Sequence, residues 1–350
     1  MTPAFRSVLL TPNLLGADGV SCLSRQIARA LPAPVMVVSL HDAPASGDEA
    51  RLRRSTAGSR LRFIGEALRV GLHCDRRTVI VCCHVHLAPV ARLVAWRSAP
   101  VTYVLCGIEA WVPLRSAERR ALSSGALMAI SHHTARGFTA ANPSFDATPI
   151  AVCHPGLPPR AADAADLPGE AAALIVGRMS AREGYKGHEA LIRAWPAVIA
   201  RHPDARLWIA GDGDDRQRLE ALADELGLAG AVVFAGRVSD AELDRLYRRC
   251  RFFVMPSLHE GFGLVFLEAM RAGKACIGAP GAAAEIIQDG VTGFVVDPTR
   301  SDALVNTLLR LFDERQTCEM FGRAGAARFA AEFTDACFGA RLAPLLPYAG

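Results

Sequence analysis

Lysine is almost absent from this chain of 350 residues: Lys186 and Lys274 are two of its 39 basic side chains, and the others are arginines. A lysine in such a background draws attention, because its compact ammonium group differs chemically from the planar guanidinium of arginine. Long apolar runs are also absent. Val35–Leu40 and Val79–Cys83 are far shorter than the roughly 18 residues of a membrane span. With 51% hydrophobic and 21% charged residues, the sequence excludes a disordered or collagen-like chain and an integral membrane protein.

An export signal and a disulfide framework are not expected either. Arg6 is the only basic residue near the N-terminus, and the apolar stretch 8–10 is interrupted by Thr11-Pro12-Asn13. None of the ten cysteines has CxxC spacing, which favours reduced, buried thiols. The sequence predicts a cytoplasmic protein, or one held peripherally at the inner face of the membrane. The cysteines found in apolar segments are Cys82, Cys83, Cys250 and Cys276.

Charge is distributed unevenly along the chain. Residues 1–162 contain 18 arginines and nine acidic residues, whereas residues 163–350 contain 21 basic and 26 acidic residues. A basic half suits phosphate, anionic lipid or nucleic acid, or is simply a solvated surface. We do not expect nucleic acid, because no basic stripe interleaved with aromatic residues is present. In Ser55–Leu72, apolar residues at helical spacing predict either an interfacial helix on anionic lipid or a helix packed on its own domain; they are Leu61, Ile64, Leu68 and Leu72.

Short β-rich apolar runs alternate with helical stretches, which is typical of βαβ units. The predicted fold class is α/β, with two Rossmann-like, doubly wound parallel-sheet domains facing each other across a cleft that holds the ligand. We expect an N-terminal domain over 1–160, a linker over 161–170 and a C-terminal domain over 171–330. Residues 331–350 are expected to pack back on the first domain. Pro196 predicts that the helix 187–201 is kinked or ends near Trp195.

The most informative segment is Pro256–Met270, PSLHEGFGLVFLEAM. A strand ends, a glycine-containing loop follows and a helix begins near Leu264, so the backbone amides at Gly263 and Leu264 form a candidate anion site. Glu260 and Glu268 lie before and within this helix, where their carboxylates accept hydrogen bonds from sugar or ribose hydroxyls.

A second strand-to-helix loop, Val176–Gly187, brings Arg178 and Lys186 to the same edge of the predicted sheet. Two converging cations suit a diphosphate. The sequence GDGDD at 211–215 contains a DxD pattern, but it starts a helix, where acidic residues favour the helix dipole. His84-x-His86 and His132-His133 lack further ligands at zinc spacing. We therefore expect no metal site.

Together with WIAGDGDDRQRLEALADELGL and VVFAGRV, these motifs resemble the retaining glycosyltransferases of group 1, also called family 4, which have the two-domain GT-B fold. The resemblance is dense over about 172–300, where the two glutamates stand in an E-x7-E element. It is looser over 1–160, where Gly16-Ala17-Asp18-Gly19-Val20 is similar to the family's glycine loop.

The resemblance implies a nucleotide diphosphate sugar as donor and a glycan or lipid-linked glycan as acceptor, bound mainly by the first domain, with no cofactor. It assigns the donor diphosphate to Arg178 and Lys186, and the nucleotide ribose to Glu268. The transferred sugar would contact Glu260 and the backbone of Phe262, Gly263 and Leu264. The remaining expected contacts are Gly19 on the phosphates, Arg237 and Val238 near the base, and Ser131 facing the cleft.

One position departs from the family pattern. Cys106 stands where the family often has a histidine that contacts the reacting sugar, and a thiol is a poor donor to a sugar hydroxyl. His84, His86 or Glu109 would then supply the contact. Two alternatives to transfer stay open at this point: a nucleotide-sugar 2-epimerase of the same architecture, and an inactive nucleotide-sugar-binding subunit.

Overall fold

A computed structural model describes residues 5–16, 18–45, 51–97, 101–160 and 169–347. The chain divides into two compact units: residues 1–156 together with 335–350, and residues 157–334. The first unit thus includes the C-terminal segment. Of the predicted linker 161–170, residues 161–168 lie outside the described residues.

The first unit is a sheet of parallel strands flanked by helices. Every observed strand pairing in it is parallel, and the strand order is β3-β2-β1-β4-β5-β6-β7. The strands are β1 (Ser7–Thr11), β2 (Val35–Ser39), β3 (Arg53–Ser55), β4 (Val79–Cys82), β5 (Val101–Leu105), β6 (Ala126–Ala129) and β7 (Ile150–Val152). The helices are α1 (Gly19–Ala30), α2 (Arg60–Gly71), α3 (Ala88–Val94), α4 (Ser116–Leu122), α5 (His132–Ala141) and, from the C-terminal segment, α13 (Asp335–Leu342).

The second unit repeats this plan, with the strand order β10-β9-β8-β11-β12-β13, again parallel throughout. Its strands are β8 (Ala172–Val176), β9 (Arg206–Ala210), β10 (Val232–Gly236), β11 (Phe252–Met255), β12 (Ala275–Gly278) and β13 (Gly293–Val295). Its helices are α6 (His188–Arg201), α7 (Arg216–Glu225), α8 (Asp240–Arg249), α9 (Leu264–Arg271), α10 (Ala283–Ile286), α11 (Ser301–Asp313) and α12 (Arg315–Glu332).

The strand orders locate a topological switch point in each sheet. The first unit winds outward from β1 to β2 and β3, then returns to place β4 on the other side of β1. The second unit does the same around β8 and β11. Ligands of open α/β sheets bind beyond the carboxyl ends of the strands at such points. The loops after β1, β4, β8 and β11 are therefore the ones to examine.

The predicted α/β class with two parallel sheets is confirmed. The apolar runs 35–40 and 79–83 contain β2 and β4, whereas the short edge strand β3 was not predicted. The apolar strands are buried on both faces, which makes them easy to recognise in a sequence. Of the two outcomes expected for α6, a kink or an end near Trp195, the second is wrong: the helix continues through Pro196 to Arg201. A proline inside a helix costs about 3 kcal/mol. Burial of Trp195 and Val198 on the same helix offsets it, at about 1.5–3 kcal/mol per large apolar side chain.

Helix α2 lies within the segment Ser55–Leu72. It packs on its unit through Phe63, Ala67 and Val70, which are buried. The apolar stripe predicted from helical spacing does not form that contact; it stays exposed, with Leu61 at 83% and Leu72 at 65% of full exposure and Ile64 and Leu68 also exposed. Among the described residues, no helix has both the length and the apolar character that crossing a membrane requires.

Candidate functional site

Lys186 and Glu260 meet at the switch point of the second unit. Lys186 ends the short 3-10 helix that follows β8, and Glu260 lies in the loop after β11. The Lys186 Nζ atom donates to Glu260 Oε1 at 3.2 Å, and both side chains are less than one-fifth exposed. The Ser257 hydroxyl donates to the same oxygen at 3.1 Å. An ammonium group has three donors, so one such bond leaves Lys186 able to bind further acceptors.

Gly187 makes this meeting possible. Its φ is +88°, a left-handed conformation, and a Cβ atom there would lie 2.6 Å from Pro256 Cγ and 3.0 Å from the Pro256 carbonyl oxygen. Only glycine lets α6 begin so close to the end of β11. The loops are also linked directly, since the Leu258 amide donates to the Tyr185 carbonyl at 3.0 Å.

Arg178 has an acidic partner that the sequence analysis did not anticipate. Its guanidinium group is paired with Glu183 of the same loop, with Nε at 3.3 Å from Glu183 Oε2. Tyr185 lies within the field of this pair and of Glu260. Burial, reinforced by the Glu183 and Glu260 charges, raises the pKa of Tyr185 to about 12. Each of the two cations therefore has a carboxylate partner, and backbone dipoles add to the positive potential of this loop edge.

Those dipoles come from the N-terminus of α9. Gly263 is the N-cap of the helix with a φ of +99°, and as a glycine it has no side chain that could accept a first-turn amide. The first amides of such a helix point at whatever lies beyond it, and they favour an anion. Phe262 is buried, and Leu264 is half-buried.

Glu268 is held by a tyrosine inside the second unit. The Tyr247 hydroxyl donates to Glu268 Oε2 at 2.8 Å, and it also reaches the Val265 carbonyl at 3.3 Å. Burial raises the pKa of the Glu268 carboxyl. With one oxygen bonded to Tyr247, the carboxylate keeps a second oxygen that can accept a hydrogen bond.

The acidic run after β9 braces the loop after β8. A Cβ atom at Gly213 would lie 1.9 Å from the Met179 carbonyl, so the two loops touch. Asp214 accepts the Ala181 amide at 3.0 Å, and Asp215 is paired with Arg218 at 2.7 Å. These carboxylates serve different protein partners instead of converging on one point.

The predicted base contacts and the second lysine lie elsewhere in the second unit. Arg237 and Val238 follow β10; Arg237 is exposed and Val238 is half-buried. The second lysine, Lys274, lies elsewhere in the unit and donates to the Arg248 carbonyl at 2.7 Å near the end of α8. A cation stabilises the C-terminus of a helix, so Lys274 has a structural role.

In the first unit, the loop after β1 is held from within. Asp18 caps α1 by accepting the Ser21 amide at 3.0 Å, and Arg25 donates to the carbonyls of Leu14 and Gly16 at 2.7 Å. Gly19 is exposed at the first turn of α1, and a Cβ atom there would touch nothing within 4 Å. The packing of the unit does not require a glycine at position 19.

Glu109 and Ser131, two of the predicted sugar contacts, are engaged in hydrogen bonds within the first unit, and so is Cys106. The Cys106 thiol is buried and donates to the Cys83 carbonyl at 3.2 Å, and burial raises its pKa. Glu109 accepts the Cys106 amide at 2.9 Å, and burial raises the pKa of its carboxyl. Ser131 is fully buried, where its hydroxyl oxygen accepts the Thr134 amide at 2.9 Å and caps α5.

The two histidines after β4 differ from each other. His84 is half-buried, its Nδ1 accepts the His86 amide at 3.2 Å, and burial lowers its pKa to about 4. The His86 side chain is 53% exposed, and its Nδ1 lies 2.8 Å from Oε1 of the buried Glu118. Both histidines stand at the switch point of the first sheet.

The sequence analysis missed four residues of these two loop edges: Glu183, Tyr185, Tyr247 and Glu118. Tyr185 adjoins Lys186, and Tyr247 is the only aromatic residue of α8. These features indicate a place in the site only once the strand order is known. Nothing in the sequence connects Glu118 with His86, because 32 residues separate them.

Residues 165–328 match the model of the family described as glycosyl transferases group 1. An uncharacterised glycosyltransferase of Methanocaldococcus jannaschii is 43% identical over 132 residues, which are 37% of this chain and 33% of that protein. The GDP-mannose-dependent alpha-(1-6)-phosphatidylinositol monomannoside mannosyltransferase of Mycolicibacterium smegmatis is 36% identical over 169 residues, 46% of this chain and 44% of that protein. The matched part thus covers less than half of each relative.

Solved structures agree with the fold over nearly the whole chain. Anabaena Alr3699/HepE in complex with UDP-glucose has a TM-score of 0.78 at 20% identity, covering 97% of this chain and 98% of that one. A glycosyltransferase from Rickettsia africae has a TM-score of 0.74 at 17% identity, with 97% of both chains covered. At these identities the likeness shows the fold, which is GT-B. Residues 165–328 are thus similar to the glycosyl transferases group 1 family, in a chain with the GT-B fold.

Proposed function

We propose that this chain is a retaining glycosyltransferase that moves a hexose from a nucleotide diphosphate sugar to a hydroxyl group of a glycan or lipid-linked glycan, without a metal ion. The observation that carries the proposal is the Lys186–Glu260 pair beside the N-terminus of α9. A departing diphosphate needs preorganised positive charge, which an ammonium group and helix amides supply.

The other residues of this edge have roles that fit the same chemistry. Arg178 binds the diphosphate by exchanging part of its contact with Glu183, and Glu268 accepts a ribose hydroxyl while Tyr247 holds it in place. The partners of Asp214 and Asp215 within the protein support a mechanism that does not depend on these aspartates as metal ligands. The mannosyltransferase named above uses GDP-mannose, and HepE was solved with UDP-glucose. GDP-mannose and UDP-glucose are therefore the first donors to test.

Replacing Lys186 tests this assignment. We expect Lys186→Ala to lower the rate of sugar transfer by about 10²–10³, because one preorganised charge on the leaving group is lost. Arg182→Ala is the matched control: Arg182 is an exposed cation on the same loop, and its loss should leave the rate nearly unchanged. Near-normal turnover of Lys186→Ala, with the same donor affinity as the unmodified chain, would contradict the proposal. An epimerised donor as the only product would favour the 2-epimerase instead.

We further propose that the first unit docks on anionic lipid through α2. The exposed stripe of Leu61, Ile64, Leu68 and Leu72 shares the outer side of the helix with exposed arginines at positions 60, 62 and 69. A groove of about 970 Å³ beside the helix is lined by further basic residues, Arg51, Arg53 and Arg54. Apolar side chains that enter the lipid boundary, next to cations that bind phosphate headgroups, are characteristic of an interfacial helix.

Vesicle sedimentation tests the docking surface. The chain should sediment with vesicles that contain phosphatidylglycerol at low salt, and the bound fraction should decrease as salt increases. It should not sediment with vesicles of pure phosphatidylcholine. The double substitution Leu61→Ser and Leu72→Ser should weaken binding. Met320→Ser is the control, because Met320 is similarly exposed (52%) on the second unit. Equal binding to both kinds of vesicle, or none at low salt, would contradict this surface.

A further inference from the structure

We infer that His86 binds the hydroxyl group of the acceptor and that Glu118 is the positioning residue that orients it; this rests on the proposed glycosyl transfer. Cys106 does not serve this role, because its thiol is buried and donates to the Cys83 carbonyl.

Exposure and hydrogen bonding distinguish His86 from the other candidates of this unit. Glu109 accepts a backbone amide, Ser131 is fully buried in a helix cap, and His84 is half-buried. The side chain of His86 is 53% exposed. Within the described part of the chain, no protein group forms a hydrogen bond with its Nε2 atom. His86 is therefore the polar side chain of this set that an incoming hydroxyl reaches most easily.

Glu118 fixes which nitrogen of His86 carries the proton. Its Oε2 accepts the Arg115 amide at 2.9 Å and its Oε1 lies 2.8 Å from His86 Nδ1. An ionised carboxylate only accepts hydrogen bonds, so the ring must donate from Nδ1. In the neutral ring, Nε2 is then an acceptor that faces outward, with its direction set by a buried partner. Histidine–carboxylate pairs fix a ring in this way in other enzymes.

The position of the pair in the sheet agrees with this role. His86 follows β4, the strand at the switch point of the first sheet. Exposed apolar residues occupy the loops after the neighbouring strands, with Leu15 (57%) after β1 and Val112 (47%) after β5. An acceptor with one hydroxyl near His86 and an apolar portion beside these side chains fits this edge.

Two substitutions separate the parts of the inference. His86→Asn keeps a donor near the Nδ1 position for Glu118 but removes Nε2. It should reduce acceptor-dependent nucleotide release by about 10–100-fold, as expected when a polar partner is lost. Glu118→Gln should reduce acceptor-dependent nucleotide release by about 10-fold. His73→Asn is the matched control, since His73 is exposed at the end of α2.

The assay measures nucleotide release from GDP-mannose and UDP-glucose, with n-octyl glycosides as acceptor probes and with water alone. We expect His86→Asn to lower transfer to the glycosides by a larger factor than hydrolysis by water, with the affinity for GDP and UDP unchanged. Transfer at the same rate as in the His73→Asn control would overturn the role of His86. If the unsubstituted chain releases nucleotide from neither donor under any condition, the proposed glycosyl transfer itself fails.

Nitrogen-15 NMR of the histidine rings in the full chain tests the orientation without any donor or acceptor. His86 should be protonated at Nδ1 and unprotonated at Nε2, and Glu118→Gln should shift this balance because an amide donates as well as accepts. A ring protonated only at Nε2 in the unsubstituted chain would refute the orienting role of Glu118, whatever the activity measurements show.

Discussion

Gly187→Ala should damage the second unit and its candidate donor site together. An alanine in the left-handed region costs about 1–2 kcal/mol. Its Cβ atom would also lie 2.6 Å from Pro256 Cγ and 3.0 Å from the Pro256 carbonyl oxygen, an overlap that costs about 1–3 kcal/mol to relieve. The sum is about 2–5 kcal/mol. For a unit of this size each kcal/mol shifts Tm by roughly 2–4 °C, so we expect a decrease of about 4–20 °C.

The matched control is Gly184→Ala, three residues earlier in the same loop. A Cβ atom at Gly184 would meet nothing within 4 Å, so this variant should be neutral or slightly more stable. Thermal unfolding of the full chain gives Tm, and titration with UDP and GDP gives Kd. The overlap at Pro256 is relieved by moving the start of α6 away from β11, which separates Lys186 from Glu260 and weakens nucleotide binding. If the two variants unfold within about a degree of each other, this explanation of Gly187 is refuted.

Three further predictions concern the second unit. Burial, helped by the charge of Lys186, lowers the pKa of His188 to about 4; the unfolded chain takes up this proton below about pH 6.5. Acidification from about pH 6.5 to about pH 4 should therefore remove up to about 3 kcal/mol of stability, and His188→Gln should flatten that decline in urea-unfolding measurements. Tyr247→Phe removes the hydroxyl that holds Glu268, so it should cost about 1–3 kcal/mol and weaken UDP and GDP binding in titration calorimetry, whereas unchanged binding would separate Glu268 from the ribose. Transfer activity should persist in excess EDTA, and loss restored by Mg²⁺ or Mn²⁺ would indicate a metal-dependent enzyme.

The sequence by itself determined the α/β class, most strand bounds and the motifs of the second unit. It could do so because parallel strands buried on both faces are short continuous apolar runs, and because strand, glycine loop and helix follow one another within a single segment, as in Pro256–Met270. The loops that carry Lys186 and Glu260 were therefore each recognisable as strand-to-helix loops, whereas their adjacency follows from the pairing of β8 with β11.

Only the tertiary structure decided which side chains have partners. Glu183 neutralises Arg178, Tyr247 holds Glu268, and Glu118 fixes His86, although the last two pairs are 21 and 32 residues apart in the chain. It also showed that α2 packs through Phe63 and not through the stripe that begins at Leu61. Helical spacing shows which residues share a face, but which face is buried depends on the neighbouring elements of the fold, and the sequence of one helix does not contain them.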